Sequence, residues 1–145
     1  MEIPPFRLAG TLTLPRGAAA VVAFAHGSGS SRFSPRNRMV AGALQERGLA
    51  TLLFDLLTPD EGTDRARVFD VPLLADRLLL ATRWLGEDDA TQALRLGYFG
   101  ASTGAAAARS LPRPAPTPRS ARSCRAGDDP ISRAPHSRRS APRRS

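Results

Sequence analysis

The sequence of 145 residues has no lysine, a single cysteine, two histidines and few aromatic side chains (6%). One cysteine, Cys124, excludes a disulfide within the chain, and nothing points to an oxidising compartment. The N-terminus has no basic segment followed by an apolar one, and no apolar run approaches the ~18 residues of a membrane span. These absences predict a soluble cytoplasmic protein with no membrane partner.

The net positive charge of the chain lies at its C-terminal end. The net charge is +8, yet residues 1–108 hold 11 arginines and 11 acidic residues, so they are neutral. Residues 109–145 hold ten arginines, only two acids and seven of the 13 prolines, with no apolar periodicity. Such a segment cannot bury enough apolar surface to offset its chain entropy. The sequence therefore predicts a folded domain over 1–108 and a disordered tail over 109–145.

Apolar runs typical of strands alternate with helical patterns along the first part of the chain. Residues 6–14 predict an edge strand, whereas 18–25 and 49–54 are apolar runs that predict buried strands, and 96–99 predicts a further strand whose faces are only half covered in this chain. A helix is predicted from Ser34-Pro35 to Gly48, with Met39, Val40, Ala43 and Leu44 at helical spacing, and a second over 69–85. Residues 58–67 are polar and predict a loop. This order predicts an α/β fold with a mostly parallel sheet and flanking helices.

The strand at 96–99 leads directly into Gly100-Ala101-Ser102-Thr103-Gly104, and a run of alanines follows. Gly-x-Ser-x-Gly between a strand and a helix is typical of a nucleophile elbow, in which the serine lies on a strained turn with its hydroxyl exposed. The glycines on either side allow strand and helix to approach closely. An ordinary Gly/Ser loop is the alternative. The flanking strand and helix favour Ser102 as a nucleophile and Gly100 and Gly104 as the elbow glycines.

Together with His26-Gly27-Ser28-Gly29 and Thr51-Leu52-Leu53-Phe54-Asp55, this motif resembles the first half of an α/β-hydrolase, and specifically a dienelactone-hydrolase-like protein. The resemblance covers residues 1–108. It implies an oxyanion hole formed by the backbone N–H of Thr103 and one from Gly27 or Ser28. It implies an ester or lactone as substrate, and neither a cofactor nor a metal.

The acid and the histidine of a catalytic triad have no counterpart in the sequence. In this fold the order is Ser, then Asp or Glu, then His, so His26 precedes the nucleophile and is expected to hold its loop by hydrogen bonds. His136 lies in the predicted tail, where nothing would orient it. We therefore expect the chain as written to be an incomplete and inactive version of the enzyme.

A shifted reading frame would explain both the absence of the triad's acid and histidine and the unusual composition of residues 109–145. If arginine and serine use CGN and TCN codons, reading residues 109–145 one base earlier can give a string that continues the alanine-rich helix and then forms a turn and an apolar strand. The hypothesis is that residues 109–145 are frameshifted or that the chain is truncated.

Two other functions remain open from the sequence. The arginine-rich tail could bind nucleic acid through phosphate contacts, although it lacks the interleaved aromatics that stack on bases and is not expected to read a base sequence. A non-catalytic half-domain that binds a protein partner is the third interpretation. The oligomeric state is left undetermined.

Overall fold

The chain forms a five-stranded sheet flanked by helices, seen in a computed structural model that describes residues 1–112. The strands are β1 (Glu2–Ile3), β2 (Leu8–Thr13), β3 (Ala20–Ala25), β4 (Ala50–Phe54) and β5 (Arg95–Gly100). They lie in the order β1-β2-β4-β3-β5. β3 is parallel to β4 and β5, while β2 is antiparallel to both β4 and β1.

The helices are α1 (Pro35–Gln45), α2 (Pro59–Gly62), α3 (Arg65–Val68), α4 (Val71–Glu87) and α5 (Thr103–Ser110). Within residues 1–112, no helix is both long and apolar enough to cross a membrane. α4 and α5 cover one face of the sheet in the larger apolar core, whereas α1 covers the other face over a smaller one. The α/β fold with flanking helices predicted from the sequence is confirmed.

Side chains of the central strands alternate between the two cores. Val21, Ala23 and Ala25 of β3 face the core under α4 and α5, and Phe24 faces the core under α1. Phe24 and Phe99 of the neighbouring strand lie side by side there, with ring centroids 5.0 Å apart. Burial of β3 and β4 on both faces explains their continuous apolar runs.

The two strands that follow β3 in the chain lie on opposite sides of it in the sheet. The crossover through α1 leads from β3 to β4 on one side, and the crossover through α4 returns past β3 to β5 on the other. Such a switch point opens a crevice at the carboxyl ends of the strands, where ligands bind in open α/β sheets. His26, Asp55 and Ser102 all follow strand ends at this edge.

α1 begins as its sequence predicts. The Ser34 hydroxyl caps the helix by accepting from the Asn37 N–H at 3.4 Å, Pro35 is its first residue, and Gly48 beyond its end has a φ of +74°. Of the four apolar residues at helical spacing, Met39 is 69% exposed and Ala43 is also exposed, so the spacing does not mark a uniformly buried face.

Three further predictions need correction. The segment predicted as an edge strand, β2, has neighbours on both sides because the two-residue β1 pairs outside it. The segment predicted as a loop over 58–67 contains the short helices α2 and α3. α5 continues through Arg109 and Ser110, beyond the predicted boundary at 108. The rest of the predicted tail, from 113 on and including His136 and Cys124, lies outside the described residues.

Candidate active site

Ser102 occupies the sharp turn between β5 and α5. Its backbone has φ 51° and ψ −124°, a region that residues with side chains rarely adopt, and its side chain is exposed. The N–H groups of Gly104 and Ala105 both donate to the Ala101 carbonyl, at 3.0 and 3.3 Å, which closes the turn. Strain of this kind, costing about 1–3 kcal/mol, persists where the surrounding structure holds it in place.

The two elbow glycines lie where side chains would collide with backbone. A Cβ on Gly104 would overlap the carbonyl oxygens of Ala25 and His26 at the end of β3. A Cβ on Gly100 would lie 2.9 Å from the N and Cα of Ala105 in the first turn of α5. Glycine at both positions lets α5 start directly against the sheet, which leaves Ser102 at the apex.

The loop after β3 meets the same turn. A Cβ on Gly27 would lie 3.1 Å from the Ala101 carbonyl oxygen and 3.2 Å from the Ser102 Cβ, so the loop backbone touches the elbow. Within residues 1–112, the N–H groups of Gly27, Ser28 and Thr103 donate to no protein acceptor. Three backbone donors therefore remain available beside the Ser102 side chain.

His26 is held by backbone on both sides of its ring. Its Nε2 accepts from the Leu56 N–H at 3.1 Å, and its Nδ1 lies 3.0 Å from the Gly27 carbonyl oxygen, to which it donates. A neutral ring with the proton on Nδ1 satisfies both contacts. His26 therefore fastens its loop to the end of β4, with both ring nitrogens engaged by backbone groups.

The other end of the same loop is fastened to Asp55. This carboxylate accepts the backbone N–H of Arg32 at 2.7 Å and also forms an ion pair with the Arg32 guanidinium. The guanidinium lies over the Phe33 ring, 4.1 Å from its centroid. The sequence placed Asp55 at the end of a strand and in a motif of the family resemblance, but its position 23 residues from Arg32 gave no local signal for the pair.

A cavity of about 910 Å³ opens beside the elbow. Thr103 forms part of its wall and Ser102 does not, although the two are adjacent in the chain. The rest of the wall comes from the loop after β3, from the N-terminal strands, from Asp55 and Leu57 after β4, from the segment that contains α2 and α3, and from Leu74 of α4. The volume suits a small organic molecule. Within residues 1–112, no cluster of three His, Cys, Asp or Glu side chains could hold a metal ion.

The wall that contains α2 is fixed by Glu61. Thr58 and Glu61 form a reciprocal capping box, in which the Thr58 N–H donates to Glu61 at 3.0 Å. The buried Arg77 of α4 donates to the same carboxylate at 2.7 Å and lies 3.4 Å from the centroid of the Phe6 ring. Burial opposes ionisation of Glu61, but these donors and the Arg77 charge hold its pKa below the ordinary value. Arg77 thus joins the cavity wall, α4 and the N-terminal hairpin.

No family model matches this chain. Two proteins from strains of Mycobacterium tuberculosis, with the provisional name phosphoribosyl transferase, are 59% identical over 104 residues. That match covers 72% of this chain but 24% of each relative, so their name describes proteins about four times as long as the matched segment.

Solved structures show the same architecture. A dienelactone hydrolase from Anabaena variabilis superposes with a TM-score of 0.69 and 56% identity, covering 74% of this chain and 51% of that one. Est1E from Butyrivibrio proteoclasticus, with ferulic acid bound, superposes with a TM-score of 0.57 and 18% identity, which speaks for the fold alone. The superposition covers 42% of Est1E and 71% of this chain.

This chain therefore spans about half of the dienelactone hydrolase and a quarter of the mycobacterial relatives. The strand order, the turn at Ser102 and the identity to the Anabaena structure all agree with one assignment. The described part of the chain has an α/β-hydrolase fold and is similar to a segment of a dienelactone hydrolase.

Proposed function

We propose that the chain carries the nucleophile and oxyanion hole of a serine hydrolase that cleaves esters or lactones. The observation that carries the proposal is the backbone of Ser102, at φ 51° and ψ −124°, with the side chain exposed at a strand–helix turn. A nucleophile elbow needs this conformation, because it lifts the hydroxyl away from both elements. The ester or lactone assignment rests on the dienelactone hydrolase that superposes on this chain.

The backbone donors around Ser102 supply the second component. When the Ser102 oxygen adds to a substrate carbonyl carbon, the carbonyl oxygen becomes negatively charged. Thr103 N–H, with Gly27 or Ser28 N–H, would donate to that oxygen; these groups lie beside the elbow and are free of protein acceptors within residues 1–112. Donors fixed before the reaction stabilise this charge without reorganising, and each is worth about 10²–10³ in rate.

Proton transfer is the step for which the described residues hold no base. Acylation must remove the hydroxyl proton of Ser102 and return a proton to the leaving alkoxide, and water must then cleave the acyl-enzyme. Among residues 1–112, His26 is the only histidine, and its ring nitrogens are engaged with the Leu56 N–H and the Gly27 carbonyl. We therefore propose that the 145-residue chain has negligible turnover, in a cytoplasmic setting and without a cofactor.

A fluorophosphonate probe tests the proposed nucleophile. A serine oxygen attacks its phosphorus, fluoride leaves and the hydroxyl proton passes to solvent, so the protein retains a stable phosphonate ester. Prolonged labelling of the whole chain followed by peptide mass spectrometry should locate the label on Ser102. Ser102→Ala should remove it, while Ser110→Ala, a control at the exposed end of α5, should keep it. Label spread over several serines, or retained in Ser102→Ala, would contradict the proposal.

A further inference from the structure

We infer that Asp55 is a positioning residue for oxyanion stabilisation, because it fixes the loop that carries two of the three free backbone donors. The loop is residues 27–32, here called the oxyanion loop. The inference rests on the function proposed above, in which Gly27 or Ser28 donates to the oxyanion. The Asp55 side chain also lines the cavity, but the role inferred here is exerted through the backbone of the loop.

The two ends of the oxyanion loop are fastened to consecutive residues after β4. At the entrance, the His26 ring accepts from the Leu56 N–H at 3.1 Å and donates to the Gly27 carbonyl. At the exit, Asp55 accepts from the Arg32 N–H at 2.7 Å. A short loop held at both ends to one rigid strand end has few conformations left.

The exit contact is the stronger of the two, because it involves charge. The Asp55 carboxylate accepts from the backbone and pairs with the Arg32 guanidinium through its second oxygen. Both side chains are about three quarters or more buried, with exposures of 20% and 24%. Charge-assisted bonds of this kind are roughly twice as strong as neutral ones. Stacking of the guanidinium over the Phe33 ring further limits its motion.

Between its ends the loop has little to hold it. Within residues 1–112, the one backbone hydrogen bond inside it runs from the Ser30 N–H to the Gly27 carbonyl, at 3.2 Å. Gly29 has a φ of +69°, and a Cβ there would meet nothing within 4 Å. Apart from the packing of Gly27 against the elbow, the placement of the Gly27 and Ser28 N–H groups therefore depends on the end contacts, and the Asp55 contact provides the charged one.

Phenylboronic acid is a suitable probe, because it reports oxyanion stabilisation without turnover. The serine oxygen forms a bond to boron and its proton leaves to solvent, giving a tetrahedral adduct with one negative charge. Titration of the full chain, followed by ¹¹B NMR, gives the adduct affinity. Asp55→Ala should weaken it about tenfold or more, since a displaced donor loses part of the 10²–10³ that one oxyanion donor contributes. Asp55→Asn keeps an acceptor for the Arg32 N–H and should restore part of the affinity.

The control is Asp76→Asn, which changes an exposed acid of α4 outside the cavity and should leave the adduct unchanged. Amide hydrogen exchange of residues 27–32 is measured in the same variants and needs no reaction at Ser102. In Asp55→Ala it should accelerate about tenfold while exchange in β3 and β4 stays slow. If Asp55→Ala does not fold, the same readouts in Asp55→Asn should show a smaller change in the same direction.

The outcomes separate this inference from the proposed function. An adduct that survives Ser102→Ala, or no adduct in the unaltered chain, contradicts the proposed nucleophile, and amide exchange then decides alone whether Asp55 fixes the loop. An adduct that requires Ser102 but has equal affinity in Asp55→Ala and Asp76→Asn overturns the positioning role. Unchanged exchange of the oxyanion loop in Asp55→Ala overturns it as well.

Discussion

Removing the guanidinium of Arg77 should destabilise the fold far more than removing that of its neighbour Arg67, although both donate to Glu61. Arg77 is 4% exposed and lies 2.7 Å from the carboxylate, whereas the Arg67 side chain is 49% exposed and lies 3.1 Å from it. Breaking a buried ion pair by removing one partner costs about 3–5 kcal/mol, because a buried charge is left uncompensated. An exposed pair contributes about 0–1 kcal/mol.

The surroundings of Arg77 narrow the loss of unfolding free energy expected for Arg77→Met. Glu61 keeps the Thr58 N–H and Arg67, so its charge is not left wholly alone, and methionine still packs against Phe6. We therefore expect about 3 kcal/mol, a large share of the 5–15 kcal/mol typical of a whole domain. Arg67→Met should cost at most about 1 kcal/mol.

Urea unfolding of the full chain, followed by tryptophan fluorescence and far-UV circular dichroism, measures both losses. A double-mutant cycle with Glu61→Gln isolates the coupling between Arg77 and the carboxylate. Equal losses for Arg77→Met and Arg67→Met would refute the reasoning, since burial would then make no difference. A coupling energy near zero would show that Arg77 stabilises through Phe6 alone.

Three other predictions concern packing, pH and the basic tail. Gly104→Ala should lower the melting temperature, because the added Cβ overlaps the carbonyl oxygens at the end of β3 and overpacking costs about 1–3 kcal/mol. The control Gly86→Ala in α4, which has open space around it, should not lower the melting temperature. Glu61 contributes stability that is complete above its ordinary pKa of 4.5 and is lost as the pH falls through its lower folded value, so Glu61→Gln should flatten the acid limb of a stability–pH curve. Binding of the whole chain to DNA should be weak, indifferent to base sequence and steeply salt-dependent in a filter-binding titration; sequence-selective binding at physiological salt would favour the nucleic-acid alternative instead.

Local sequence patterns were sufficient to predict the structure of segments whose own residues decide their conformation. The cap of α1 depends on Ser34 and Pro35 alone, and the turn after β5 on Gly-x-Ser-x-Gly, so both could be predicted. The helix α2 was missed although Thr58-Pro59-x-Glu61 carries a capping box and a proline at the first helical position. That signal was readable, and the polar composition of the segment obscured it.

Other features depend on partners distant in the chain and could not be read locally. Burial of Arg77 on α4 requires Glu61 and Phe6, which lie on two other elements. The two-residue strand β1 exists because β2 offers it a partner, and it removes β2 from the sheet edge. The contact between Asp55 and Arg32 joins the ends of two segments that meet only through the parallel pairing of β3 and β4.

The most direct test of the account is a crystal structure of the chain after reaction with a fluorophosphonate. The account predicts continuous density from the Ser102 oxygen to phosphorus. It also predicts a phosphonyl oxygen about 3 Å from the Thr103 nitrogen and from that of Gly27 or Ser28. A label on another residue, or an adduct on Ser102 whose phosphonyl oxygen faces away from these backbone donors, would contradict it.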